Sequence, residues 1–474
     1  MKPGRFETAV MTLFLLAAVY QLFIPPLLGI ADNGDFERMR IPNGLLRTPQ
    51  ESTDQRFDFF HSKFDIVPKK DFGIYYFHSS THMFVSAARW LNEHVVDRRV
   101  FDMRTLAAVY LACYLAGVYL VLRASREWKF ISRFLLAASL LFMFTDAAYT
   151  TYFNSFYSEP TALVALPIIV GCAALLIYRR RAAIVSLAGY FIAAAILVTA
   201  KPMYVPYAAV LAPFGIYLAR FTAFRFRYLL AGALGGGLLA LGLWYQSFTP
   251  EWLRMKASYI AIFTILLQDS PDPRADVAAL NLKPEWIRYI GSTPYDDDSP
   301  AVIDPAFPPD FTKRVRTLTI PKFLLTHPAQ LYRVAADIAP QFVITLPDYA
   351  GYYEESSGKP AGAQPVALWS RIRSRLFPAR FWLLLLYFGS GAVALVSGLR
   401  KNVMELHRAL LFLYSLLVAY VAITYAVPIF TMASIDMRYS APFVQAFDFS
   451  LILAAGMVLR QLGLIIHPAS MPNE

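Results

Sequence analysis

Two carboxylates three positions apart, Asp32 and Asp35 in Ala31-Asp32-Asn33-Gly34-Asp35-Phe36, follow the first long apolar stretch of the chain. A carboxylate there can take a proton from a hydroxyl as that hydroxyl attacks an electrophilic carbon. Lys201, in Lys201-Pro202-Met203-Tyr204, and Arg438, in Asp436-Met437-Arg438-Tyr439-Ser440-Ala441-Pro442, carry the opposite charge. Lys and Arg neutralise phosphate, Arg by gripping two oxygens at once. Asp146 and Glu159 complete a set of ionisable residues at the edges of apolar stretches. Such groups at membrane depth are costly and usually face a cavity or a partner. The plain alternatives are a helix-end salt bridge for Asp146 and Glu159, and an Asx-type turn about Gly34 for the acidic pair.

The elements that must position these residues are apolar windows of spanning length. Ten are expected: Ala9–Ile30, Leu106–Leu122, Phe134–Ala148, Thr161–Tyr178, Ala183–Thr199, Val205–Ala219, Tyr228–Tyr245, Phe381–Gly398, Ala409–Val427 and Pro442–Leu459. Lys2 and Arg5 precede the first, which is long and followed by no small-x-small cleavage site, so it reads as a retained signal anchor. Alternate threading from a cytoplasmic N-terminus puts Arg123/Arg126/Lys129/Arg133, Arg179–Arg181, Arg220/Arg225/Arg227 and Arg400/Lys401/Arg408 inside. The short outer turns then carry only Lys201 and Arg438, the asymmetry of the positive-inside rule. Every member of the polar set falls at the outer boundary.

With 57% hydrophobic and 16% charged residues and a mean hydropathy of +0.44, an ordinary soluble domain is excluded. The net charge of +11 is explained by topology, not by nucleic acid, because no basic face interleaved with stacking aromatics is found. Cys113 and Cys172 both lie in apolar windows and read as small core residues. The expected fold is an all-α polytopic membrane protein of about ten transmembrane helices with outer-face surface helices. Its parts are residues 1–245 (spans one to seven, with a first outer loop 31–104 carrying the acidic motif), a helical extracytoplasmic insertion 246–380, and residues 381–474 (spans eight to ten). Met83–Val95 and Phe323–Ala336 show helical spacing within the two long segments.

Weaker features were weighed beside these. Pro250-Glu251-Trp252-Leu253-Arg254 is echoed by Pro284-Glu285-Trp286-Ile287-Arg288, which helix capping explains. Tyr295-Asp296-Asp297-Asp298 reads as an exposed acidic loop. His61, His78 and His82 lie in the first loop, and the last two have the i, i+4 spacing that permits a shared metal. His327, before Pro328, reads as a turn residue. Asp348-Tyr349 with Tyr352 and Tyr353 offers aromatic faces for a sugar rim. Asp448, inside the last window, is left open between a helix partner and a groove lining.

Asp32-Asn33-Gly34-Asp35-Phe36 directly after the first window resembles the acidic signature of the glycosyltransferase-C superfamily, in which an Asp or Glu of the first outer loop is the catalytic base. The Asp-x-x-x-aromatic pattern maps the base to Asp32 with Phe36 as the aromatic; Asp35 is the fallback. Arg438-Tyr439-x-x-Pro442 is similar to an Arg-Tyr-x-x-Pro pattern whose Arg approaches the donor phosphate. The whole most resembles bacterial surface-glycan hexose transferases. The looser Asp-x-x-Asp spacing does not support protein mannosyltransferase or aminoarabinose transferase activity, and the position of the insertion argues against types with large terminal domains. The resemblance implies transfer of a sugar from a polyprenyl-phosphate donor to a membrane-associated glycan or lipid acceptor at the outer face of the cytoplasmic membrane. Asp32 and Asp35 are then the catalytic candidates, with Glu159, Lys201, Tyr204, Arg438, Tyr439 and His78 binding substrate. No cofactor is required, although a divalent metal is left open. The rival readings are a lipid-diphosphate-glycan polymerase or ligase, and a lipid or solute transporter; the lack of internal repeats and the large outer segment weigh against the transporter.

Overall fold

The computed structural model describes residues 4–47, 57–68, 77–179, 183–297, 299–378, 380–431 and 440–461. Among these, eight helices are long and apolar enough to cross a membrane: Arg5–Leu22, Met103–Ala124, Glu159–Arg179, Pro202–Phe221, Arg227–Ser247, Phe381–Leu399, Glu405–Thr431 and Ser440–Gln461. A bent pair, Phe130–Phe144 with Ala147–Phe153, and a shorter apolar helix, Ala183–Val198, take the remaining two windows. In chain order these are spans one to ten, and the chain is an all-α polytopic membrane protein.

Two boundaries differ from the hydropathy reading. Span one stops at Leu22, not Ile30. Pro25 and Pro26 cannot continue a helix, since each lacks an N–H and clashes with the preceding turn. Asp32 therefore follows an extended stretch, not the helix itself. Span three ends at Phe144 and turns by 58° into Ala147–Thr150, with the Asp146 carboxylate accepting the Ala148 N–H at 3.0 Å. Asp146 thus caps the bend instead of closing a last helical turn.

Spans two and four form the most extensive helix pair. A Cβ on Gly117 would lie 2.8 Å from the Ile168 backbone nitrogen, and one on Gly171 2.5 Å from the Leu120 Cβ. The two backbones approach through these glycines, the small-residue packing that membrane helices use where no hydrophobic force drives them together. Span four is buried on nearly all sides, whereas spans one, seven and eight are peripheral.

The two long segments meet at one end of the helices. Between spans one and two lie Thr81–Val95, an amphipathic helix as expected, and three short antiparallel strands that helical spacing did not foresee: β1 Leu45–Leu46, β2 Lys63–Ile66 and β3 Val100–Asp102. Their order is β1-β2-β3, with Phe64 opposite Phe101. Between spans seven and eight the chain forms short helices around a buried aromatic cluster of Tyr259, Phe263, Trp286, Phe307 and Phe311. The single helix expected over Phe323–Ala336 is two, Thr319–Thr326 and Pro328–Ile338, broken where Pro328 follows His327.

Candidate functional site

The acidic motif folds as a tight turn. Asp32 Oδ1 accepts the N–H of Gly34 at 2.6 Å and of Phe36 at 3.1 Å, and Gly34 takes φ +99°, a left-handed value that favours glycine. Asp32 Oδ2 is ion-paired with Arg47, and the carboxylate is only 3% exposed. Phe36 anchors the turn by packing on Phe156 and Tyr157 at 5.4 and 4.7 Å. Asp35 is half-buried and pairs with Arg38 at 3.0 Å. Buried Arg40 lies close enough to Asp32 and Arg47 to feel both; burial pushes its guanidinium below the ordinary value and Asp32 opposes that. Arg40 Nε has no hydrogen-bond partner among the described residues.

Beneath this turn lies the entry to span four. The Tyr157 hydroxyl donates to the Ala31 carbonyl at 2.7 Å and accepts the Asn33 N–H at 3.1 Å. Two residues on, Glu159 is fully buried and its Oε1 accepts Lys201 Nζ at 2.9 Å, while its Oε2 is without a partner among the described residues. Lys201 sits at the corner between spans five and six. The Ser80 N–H donates to Thr199 O at 3.0 Å and Ser79 Oγ to Ala200 O at 2.7 Å, which seats the first loop on that corner. His78 joins it: its carbonyl accepts the Tyr245 hydroxyl at 2.8 Å and its ring packs on Phe248 at 4.9 Å. Tyr204 is buried and stacks on Tyr207, which stacks in turn on Tyr420 at 4.0 Å.

The second long segment closes the same region. The Gly29 and Ala31 N–H groups donate to Tyr352 O and Gly351 O at 3.1 and 2.9 Å. From the other side, Gly351 N–H donates to Phe57 O at 2.7 Å, and Phe60 N–H to Tyr353 O at 2.9 Å. A Cβ at Gly351 would fall 1.8 Å from Asp58 O, so only glycine fits this crossing. Trp252 has Arg38 over its ring at 5.7 Å and Lys256 at 5.8 Å, joining the acidic motif to the insertion. Its sequence echo Trp286 is instead part of the buried aromatic cluster. Tyr352 is buried, its hydroxyl donating to Pro347 O at 2.6 Å, which leaves Tyr349 and Tyr353 as the accessible rings of that stretch.

Of the polar set read from sequence, Asp32, Asp35, Glu159, Lys201, Tyr204 and His78 are thus brought into one contiguous region. Asp146 is not: its Oδ2 accepts the Trp369 N–H at 2.7 Å, capping the helix Leu368–Leu376. Asp448 belongs with it, buried against Arg373 at 3.1 Å, Tyr149 at 2.5 Å and the Trp369 indole at 2.7 Å. These two acids clamp the end of the insertion to spans three and ten, in what reads as a structural lock. Arg438, Tyr439 and Asp298 lie outside the described residues. A His78/His82 metal pair finds no support: both ring nitrogens of His82 are used, on Asn43 Nδ2 at 2.9 Å and Phe77 O at 2.7 Å. Among the described residues no group of three or more His, Cys, Asp or Glu is placed to hold a metal ion. Asp296 is a turn acid whose carboxyl is held below the usual range by the Thr293 N–H. Sequence reasoning missed Arg40 and Arg47, whose one visible signal was their closeness in the chain to the acidic pair.

No curated protein matches the chain. Among solved structures, the Archaeoglobus fulgidus oligosaccharyltransferase tethered with an acceptor peptide aligns over 97% of this chain and 50% of its own, at 11% identity and a TM-score of 0.40. The chain thus spans about half the length of that structure, and the likeness is too distant to bear on activity. The model of the YfdI N-terminal transmembrane domain matches residues 5–465. The helices, their packing and this match over nearly the whole chain agree, and the chain belongs to the YfdI N-terminal transmembrane domain family.

Proposed function

We propose that this protein is a membrane glycosyltransferase that moves a sugar from a polyprenyl-phosphate donor to a glycan or lipid acceptor. The carrying observation is the pairing of a built-in carboxylate with cations in one region. Asp32 spends Oδ1 on its own turn and holds Oδ2 against Arg47 beside Arg40, and the Lys201–Glu159 pair begins two residues after Tyr157, whose hydroxyl holds that turn. The resemblance of the motif to the glycosyltransferase-C signature supports the same reading.

In this mechanism Asp32 Oδ2 takes the proton of the acceptor hydroxyl, and Arg47 yields its place to that hydroxyl. The hydroxyl oxygen bonds to the anomeric carbon as the bond from that carbon to the phosphate oxygen breaks. The electron pair leaves on the polyprenyl phosphate, where Lys201 and Arg438 balance its charge. Glu159 fixes Lys201, Asp35 and Arg38 orient the acceptor with Trp252, His78 lines the approach, Tyr204 backs the Lys201 corner from its buried stack on Tyr207, and Tyr439 binds substrate with its neighbour Arg438. Because the leaving group is already a stable phosphate, neither a nucleotide loop nor a metal is needed. Inversion at the anomeric carbon follows from the resemblance.

The site is assigned to the extracytoplasmic face of the cytoplasmic membrane, with both termini inside, because the arginine-rich ends lie at the opposite end of the spans. Lipid-linked sugars in a deletion strain, identified by mass spectrometry, test this. An accumulated polyprenyl-phosphate sugar together with a surface glycan lacking one residue is expected; an unchanged lipid-linked pool and glycan would overturn it.

A further inference from the structure

At the end of the spans away from the acidic turn lies an apolar cavity of ≈ 130 Å³ between spans two, three, four, nine and ten. Leu136, Val170, Leu413, Phe449, Leu453 and Gly456 are among its lining residues. Its surface is mostly apolar, with Ser125, Ser132 and Ser139 the exceptions, and favours hydrocarbon over water. Trp128 and Tyr178 line it as well, their rings in edge contact at 5.3 Å. The Trp128 indole N–H is buried without an acceptor among the described residues, and so are Arg123 Nη1 and Arg460 Nη1. Arg123 is 6% exposed and stands in the chain between the lining residues Val121 and Ala124. Arg460 follows the lining Leu459 and is close enough to Tyr178 and His407 to interact with both.

Three donors without an acceptor among the described residues, two of them cationic, beside a mostly apolar cavity call for an anion attached to hydrocarbon. The acids described at this end are engaged with other cations. Among the described residues Glu7 is paired with Arg133, Glu127 with Arg179 and Glu405 with Arg220. We propose that an anionic glycerophospholipid binds here, a segment of one acyl chain in the cavity and its phosphate on Arg123, Arg460 and the Trp128 indole. The site is separate from the proposed sugar-transfer region and stands whether or not that reading holds. Basic pockets between membrane helices are suited to such headgroups, and the charge at this end is complementary.

A Cβ on Gly456 would meet nothing within 4 Å, so Gly456→Leu fills the cavity without moving backbone and raises helix propensity. Full-length protein in nanodiscs of phosphatidylcholine doped with phosphatidylglycerol, read by native mass spectrometry, tests the proposal. Wild type should retain one phosphatidylglycerol in preference to phosphatidylcholine. Arg460→Gln and Arg123→Gln should each weaken retention roughly fivefold, about 1 kcal/mol per cation. Gly456→Leu should abolish retention with no loss of thermal stability. Equal retention by Arg460→Gln and Gly456→Leu, equal uptake of phosphatidylcholine, or displacement of the lipid by equimolar polyprenyl phosphate would overturn it.

Discussion

At the residue scale the site rests on two carboxylates doing different work. Asp32 is both the closure of a turn and the proposed base, and substitutions separate these roles. Asn keeps an oxygen for the Gly34 and Phe36 N–H groups but loses the charge facing Arg47. Asp32→Asn is expected to fold, whereas Asp32→Ala strands one buried and one half-buried N–H donor and should cost a further ~1–3 kcal/mol in thermal or denaturant unfolding. Glu159 is a buried ion partner. Lys201→Met leaves its carboxylate uncompensated and should lower stability by about 3–5 kcal/mol, while the double variant Lys201→Met/Glu159→Leu should recover most of that. Equal losses in the single and double variants would show that the pair is not coupled. The turn was legible in the sequence because an Asx turn is local: Asp, Gly and an anchoring aromatic within five positions. The Arg47 pairing was not, because it depends on where β1, just before Arg47, is docked.

At the scale of elements, hydropathy located all ten apolar helices but misjudged where backbone chemistry intervenes. Pro25 and Pro26 ended span one early, Asp146 bent span three, and Pro328 divided a helical pattern that looks continuous by periodicity. The small sheet was illegible because two- and three-residue strands carry too little alternation to read. Two glycines mark junctions that tolerate no side chain. Gly351→Val should push the insertion off the Asp58–Phe59 backbone and loosen both long segments together, seen as raised hydrogen exchange at Ala31 and Phe60, whose N–H groups bond to this stretch. Gly117→Leu should separate spans two and four, where the opposing atoms are the Pro167 Cβ and the Pro167–Ile168 backbone; a drop in unfolding midpoint equivalent to ~1–3 kcal/mol is expected. Protection or stability unchanged from wild type would contradict these packing assignments.

At the scale of the whole molecule, the alternation of ten apolar helices, eight of them long enough to cross a membrane, gathers both long segments at one end and the arginine-rich turns at the other. That division is what let the sequence place Asp32, Glu159 and Lys201 at one boundary before any contact was known. It also placed Asp146 there by depth alone, and depth cannot distinguish a substrate-facing acid from one that caps the end of the insertion beside the Arg373–Asp448 pair. Cys113 and Cys172 lie within spans, so single exposed cysteines report sidedness cleanly. Lys359→Cys should react with a membrane-impermeant maleimide added from the extracytoplasmic side, and Arg126→Cys only after the membrane is opened. The reverse pattern would invert the proposed orientation.

The most direct measurement is sugar transfer in proteoliposomes carrying a radiolabelled polyprenyl-phosphate sugar and a membrane-associated acceptor, comparing wild type with Asp32→Asn and Asp35→Asn. Loss of a positioned general base should lower kcat about 10²–10⁴-fold in Asp32→Asn, with a smaller effect in Asp35→Asn. Wild-type turnover by a folded Asp32→Asn variant, or no release of polyprenyl phosphate by the wild type, would contradict the account.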